Sequence, residues 1–145
     1  AKYRVIIPAH ISPHPERFEV SAAAILSRHF KCDIYFIAKS NIHTPDIRIK
    51  NIRWEIKSPT GNGKRTIQHQ IQRALTQSKN IIFDARRTKI RITKIRTDLI
   101  RYATEHTAIK RLILIEKDET VVVINDTISK EKTRAVEINH CSGFL

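Results

Sequence analysis

The fold turns on one stretch, Asp46-Ile47-Arg48-Ile49-Lys50-Asn51-Ile52-Arg53-Trp54-Glu55-Ile56-Lys57. Side chains on a strand alternate between its two faces. A two-residue turn at Lys50-Asn51 then pairs Ile49 with Ile52, Arg48 with Arg53, Ile47 with Trp54 and Asp46 with Glu55. Asn51 suits the left-handed conformation that such a turn needs, and Lys50 suits it less. Ile47, Ile49, Ile52, Trp54 and Ile56 form a hydrophobic floor, and Asp46, Arg48, Arg53, Glu55 and Lys57 share the opposite face. Carboxylates directly opposed, with Cβ atoms about 4.5–5.5 Å apart, destabilise a sheet unless positive charge lies between them. A divalent cation supplies that charge. Oxygen ligands suit Mg²⁺ or Mn²⁺, with Zn²⁺ a further candidate.

Lys57 points to the same spot, so the face holds the parts of a phosphodiester hydrolase. A metal polarises the phosphate and lowers the pKa of a bound water. Lysine can orient or deprotonate that water, or neutralise the pentavalent phosphorus, and the sequence leaves these roles open. Arg48 and Arg53, further along the face, are placed to hold a neighbouring phosphate. A charged face is also what an ordinary exposed hairpin carries, and an Asp-x8-Glu-x-Lys spacing arises by chance. Pro45, which fixes the chain before Asp46, and the buried look of the flanking segments favour a site.

Outward from the hairpin, Ser12, Pro13 and Pro15 signal a helix start, and Glu16 to Phe30 reads as an Ala-rich helix. Asp33 to Ala38 reads as a buried strand, and Ala1 to Ile11 as a short strand or arm. Beyond the hairpin, the loop Ser58-Pro59-Thr60-Gly61-Asn62-Gly63 opens a second helix, Lys64 to Gln77, whose Ile67, Ile71, Ala74 and Leu75 fall at helical spacing. The N-terminus of that helix can receive a phosphate, with Ser58, Thr60 and Lys64 as contacts; Gln68 and Gln72 read as solvated surface. A strand at Asn80–Asp84 and a helix through Ile95, Leu99 and Tyr102 follow. Arg111–Glu116 and Thr120–Asn125 then suggest a terminal hairpin. Strands alternating with helices define an α/β class, a single domain over 1–145 with a mixed central sheet flanked by helices.

Charge narrows the partners. The chain of 145 residues has 27 Lys and Arg against 14 Asp and Glu, a net charge of +13, which attracts polyanions and nucleic acid above all. The segment Arg86, Arg87, Lys89, Arg91, Lys94 and Arg96 is the densest positive run and reads as a surface for the nucleic-acid backbone. Aromatic residues make up 6% of the chain, which gives little support to a single-strand binder built on stacking. Seven histidines show neither a His-Glu-x-x-His nor a zinc-finger spacing. Cys32 and Cys141 read as reduced or buried thiols. No apolar run reaches the roughly 18 residues of a membrane span. The missing initiator Met suggests a piece of a larger protein.

Thr44-Pro45-Asp46, then Trp54-Glu55-Ile56-Lys57-Ser58, then a glycine-containing loop and a helix, resembles the PD-(D/E)xK nuclease signature. It is similar in particular to the C-terminal nuclease toxin domains of CdiA-type contact-dependent growth inhibition proteins. The resemblance runs from about Glu16 to Asp84. It implies a restriction-endonuclease-like core in which Asp46 and Glu55 bind metal, Lys57 is catalytic, and a first-helix glutamate completes the site. Glu19 matches that glutamate better than Glu16, while Asn51 stands where the family often has glycine. Also implied are delivery as part of a larger secreted effector, action in the target-cell cytoplasm, and a cognate immunity protein, expected to be acidic. RNA, and tRNA in particular, is the expected substrate, with DNA as the alternative. A basic nucleic-acid-binding module without catalysis is the competing class.

Overall fold

A computed structural model describes residues 2–126 of the chain. Its centre is the expected hairpin, β3 (Ile47–Ile49) and β4 (Ile52–Lys57), in the register Ile47–Trp54, Arg48–Arg53 and Ile49–Ile52. The Asp46 N–H donates to the Trp54 carbonyl at 3.0 Å, so Asp46 is tied to the same β4 residue that Ile47 opposes. The turn falls at Lys50-Asn51 as expected, and its left-handed residue is Lys50, with φ of 56°, the less suited of the two.

The hairpin sits inside a seven-stranded sheet whose strands lie side by side in chain order. β1 (Val5–Ile6) runs parallel to β2 (Ile34–Phe36), and β2 is antiparallel to β3. On the other side, β5 (Asn80–Asp84) is parallel to β4, and β6 (Arg111–Ile115) is parallel to β5. β7 (Val121–Asp126), the last strand of the described residues, is antiparallel to β6. The parallel steps are crossed by α1 (Arg17–Phe30), α2 (Thr66–Leu75) and α3 (Ile92–Glu105). The chain is therefore an α/β domain with a mixed sheet, as its alternation of strands and helices implies.

Alternation along the strands divides the core in two. Ile34, Ile47, Trp54, Ile56 and Ile82 turn to α1 and pack on Ala22, Leu26 and Phe30. Ile81, Phe83, Leu112 and Leu114 turn the other way, against Ile67 and Ile71 of α2 and Ile95 and Leu99 of α3. β5 and β6 are buried on both faces, as befits parallel strands covered by helices on each side. Glu55 and Lys57 occupy the α2 face of β4, level with Ile81 and Phe83.

Cys32, just after α1, is disulfide-bonded and so corrects the expectation of a reduced thiol; spacing along a sequence does not predict what a cysteine meets in the fold. Cys141 lies outside the described residues. Among the described residues, no helix is long and apolar enough to cross a membrane.

Candidate active site

The C-terminal end of β4, the residue entering β3, the first turn of α1 and one side of α2 converge on an open cleft of about 810 Å³. Open α/β sheets present ligand sites at the carboxyl ends of their strands. Glu19, Asp46, Glu55, Lys57, Ser58 and Thr60 all line this cleft. Arg48, Arg53 and Lys64 do not. Arg48 shares the polar face, but two residues of strand carry it about 6.8 Å from Asp46. Its guanidinium lies 4.3 Å from the centre of the Tyr35 ring on the neighbouring strand, and its Nη1 donates to the Lys50 carbonyl. Arg53 is exposed at the far end of β4, and Lys64 is exposed on the loop before α2.

Both central carboxylates are buried, Glu55 at 2% and Asp46 at 7% exposure. Asp46 is well held. Its Oδ2 accepts the Ile56 N–H at 2.8 Å, which ties it across the hairpin to the backbone between Glu55 and Lys57. Its Oδ1 accepts from Lys39 Nζ at 2.6 Å, and the same ammonium donates to the Thr44 carbonyl. Glu55 is held less well. Lys57 Nζ lies 3.1 Å from Oε2, while no donor among the described residues reaches Oε1. Lys57 Nζ also donates to Gln77 Oε1 at 3.1 Å, so the ammonium is fixed between two oxygens. Burial first, then the nearby charge of Asp46, pushes the Glu55 carboxyl up to about 8, against the opposing pull of Lys57.

Glu19 reaches the cleft from the third position of α1. Its Oε1 accepts the Glu16 N–H at 2.8 Å, the reciprocal half of a capping box, so it serves the helix and faces the site at once. Burial and the charge of Asp46 raise its pKa, and the Glu16 N–H lowers it. Glu16 is the exposed N-cap residue and does not line the cleft.

A polar network underlies the site. Ser58 Oγ donates at 3.1 Å to Asp84 Oδ2, at the end of the neighbouring strand. Asp84 is fully buried and receives three hydrogen bonds from Arg86: backbone N–H and Nε to Oδ1, and Nη2 to Oδ2. Arg86 then donates to Ser21 Oγ at 2.6 Å and to the Phe18 carbonyl at 3.0 Å. One guanidinium thus clamps the first turns of α1, which carry Glu19, to the strand beside Glu55 and Lys57. Lys39, Gln77 and Asp84 carry no signal in the sequence, and Arg86 reads there only as part of the basic run, whereas its guanidinium is spent on Asp84, Ser21 and Phe18. Gln72, which reads as solvated surface, lines the cleft.

Among the described residues, no group of three or more His, Cys, Asp or Glu is arranged to hold a metal ion. Asp46 and Glu55 form a two-carboxylate set, one oxygen of which meets no donor among those residues. Mg²⁺ is typically bound in this way, through one or two carboxylates, with water and substrate phosphate completing its shell. Zinc sites usually draw three or four protein ligands, mostly nitrogen and sulfur. The donors here fit the harder cation better.

The class defined by fold and cleft is a small α/β domain with a carboxylate and lysine cluster at its strand ends. Residues 43–121 match the family described as the contact-dependent growth inhibition CdiA C-terminal domain. The chain belongs to this family, and it is a contact-dependent growth inhibition toxin domain. Its fold is shared with a chain of a CdiA-CT/CdiI toxin and immunity complex from Burkholderia pseudomallei, with a TM-score of 0.64 and 17% identity over 85% of this chain and 98% of the other. Comparison with curated proteins gives no match.

Proposed function

We propose that this toxin domain is a metal-dependent nuclease with a PD-(D/E)xK core, which hydrolyses phosphodiester bonds of RNA in a target cell. One observation carries the reading. Two buried carboxylates face each other beside a fixed lysine, in a cleft of a protein of net charge +13, and one carboxylate oxygen meets no donor among the described residues. A module that only binds nucleic acid gains nothing from burying paired carboxylates against a polyanion.

Asp46 and Glu55 are the residues that would hold Mg²⁺ or Mn²⁺. When bound, the cation supplies polarisation of the scissile phosphate and a water of lowered pKa. Lys57, fixed by Glu55 and Gln77, places an ammonium where negative charge builds on the phosphate oxygens. Glu19 presents a third carboxylate from α1 to orient the attacking water. Thr60 edges the cleft and supplies a hydroxyl donor to the strand being cut, while Ser58, at the same edge, gives its proton to Asp84 and offers the substrate an acceptor. Lys39 holds the Asp46 carboxylate in place.

tRNA is the first substrate to test, with DNA as the alternative. The family supports delivery as part of a larger secreted effector, with action in the target-cell cytoplasm. The structural neighbour was solved with an immunity protein, and a cognate acidic partner covering this basic surface is proposed here too. The test incubates the protein with tRNA and with plasmid DNA, in Mg²⁺ or EDTA, beside Glu55→Gln. Cleavage of tRNA that is lost in EDTA and in the variant is expected. Cleavage surviving either change removes the metal mechanism, and binding without cleavage of either substrate favours the module.

A further inference from the structure

Arg87 belongs to the basic run that reads, from sequence, as a surface for phosphates, but its geometry suits a different task. Its guanidinium carbon lies 3.8 Å from the centre of the Phe18 ring. At that distance the planar group is stacked on the ring, held by dispersion and by the ring's negative face. Both residues line the cleft, and Arg87 is exposed. One face of the guanidinium is therefore covered by Phe18 and the other is open. Arg86, next in the chain, anchors this corner by donating to the Phe18 carbonyl.

α2 supplies a further wall of the cleft. Its Ile67, Ile71 and Ala74 are buried in the core, while Thr66, His69, Gln70, Gln72 and Arg73 line the cleft. These positions fall on one side of the helix. The helix has no carboxylate anywhere along it. Amide, imidazole, hydroxyl and guanidinium groups are the types that pair with the edges of nucleobases.

We infer that the Arg87–Phe18 pair is a stacking platform for one unpaired nucleobase, whose edge is read by the polar face of α2. The inference rests on the nuclease reading and adds to it the form of the substrate. A base within a duplex is stacked on both sides and offers no free face, whereas a base in a loop or a single strand does. The domain is thus directed to unpaired nucleotides.

The test measures binding apart from cleavage. The full chain carrying Glu55→Gln is titrated, in EDTA, into oligonucleotides holding a single 2-aminopurine, as unpaired ribo- and deoxyribo-strands and as matching duplexes. Stacking quenches the fluorescence of that base. Quenching on unpaired strands is expected, with weaker binding to duplex. Adding Arg87→Lys, which keeps the charge and loses the plane, weakens binding about tenfold or more and removes the quench. Phe18→Leu moves both in the same direction, with circular dichroism checking that α1 remains folded.

Unchanged binding and quenching in the Arg87→Lys protein overturns the platform, and so does equal affinity for duplex. If the unaltered protein still cleaves tRNA in Mg²⁺, the nuclease reading survives that failure. Absence of binding to every strand, together with absence of cleavage, removes both.

Discussion

Two buried carboxylates end neighbouring parallel strands of this domain and live in opposite states. Asp84, closing β5, has both oxygens engaged, by Arg86 through three hydrogen bonds and by Ser58. Glu55, near the end of β4, has one oxygen beside Lys57 and the other without a donor among the described residues. A buried charge is tolerated when its hydrogen bonds are complete and is costly when they are not. Asp84 is finished by the protein itself and holds α1 against the sheet. Glu55 is left unfinished, and burial beside Asp46 pushes its carboxyl up to about 8. An unfinished buried carboxylate in an open cleft is poised to take a cation from outside.

The largest expected effect tests the unfinished half. Glu55→Gln should lower tRNA cleavage by roughly 10²–10³-fold or more, on the scale of losing a principal electrostatic contact in a transition state. Its stability to urea should not fall, because the amide removes a charge that the fold disfavours. Asp84→Asn should behave in the reverse way. Breaking a buried ion pair by removing one partner costs about 3–5 kcal/mol, to be read from equilibrium denaturation. If Glu55→Gln destabilises the protein as much as Asp84→Asn does, the two carboxylates are alike and the contrast fails.

Metal sharpens the same contrast. A ligand that binds only the folded state at about 100 times its dissociation constant stabilises by about 2.7 kcal/mol. Mg²⁺ or Mn²⁺ should therefore raise the Tm of the unaltered protein by several degrees, reversed by EDTA. The shift should disappear in Glu55→Gln and persist in Asp84→Asn below that variant's own midpoint. A metal shift that survives in Glu55→Gln places the cation elsewhere.

The two carboxylates also differ in how far the sequence announces them. Strict alternation from Ile47 to Ile56 carries the hairpin register, and with it the opposition of Asp46 and Glu55 on a face with Lys57. Period-two burial is local, so a single stretch contains it. Glu19 had no such signal; only a family resemblance pointed to it, because a helix glutamate looks the same whether it caps the helix or lines a cleft. Arg48 and Arg53 show the limit of the face argument, since alternation assigns a side but not a distance along the strand. Asp84 and Arg86 are close in sequence, yet their weight comes from Phe18, Ser21 and Ser58, which only the fold brings near. The turn stands at Lys50-Asn51 as the alternation implies, and its left-handed residue is Lys50, the one the sequence suits less, with its carbonyl held by Arg48.

That turn gives the smallest effect and the cleanest control. A residue with a Cβ held in the left-handed region costs roughly 1–2 kcal/mol, and glycine returns part of the gain through its greater unfolded-state entropy. Lys50→Gly should therefore stabilise the domain by about 0.5–1 kcal/mol in urea denaturation and leave tRNA cleavage unchanged. The contact from Arg48 goes to the Lys50 carbonyl, which glycine keeps. The pairing of Asp46 with Glu55 lies at the other end of the hairpin, tied there by the Asp46 N–H to the Trp54 carbonyl and the Ile56 N–H to Asp46 Oδ2. A gain in stability with altered cleavage would mean that the turn, and not these end bonds, sets the spacing of the two carboxylates. Unaltered cleavage would leave Glu55 unfinished for a local reason, the company it keeps at the end of β4.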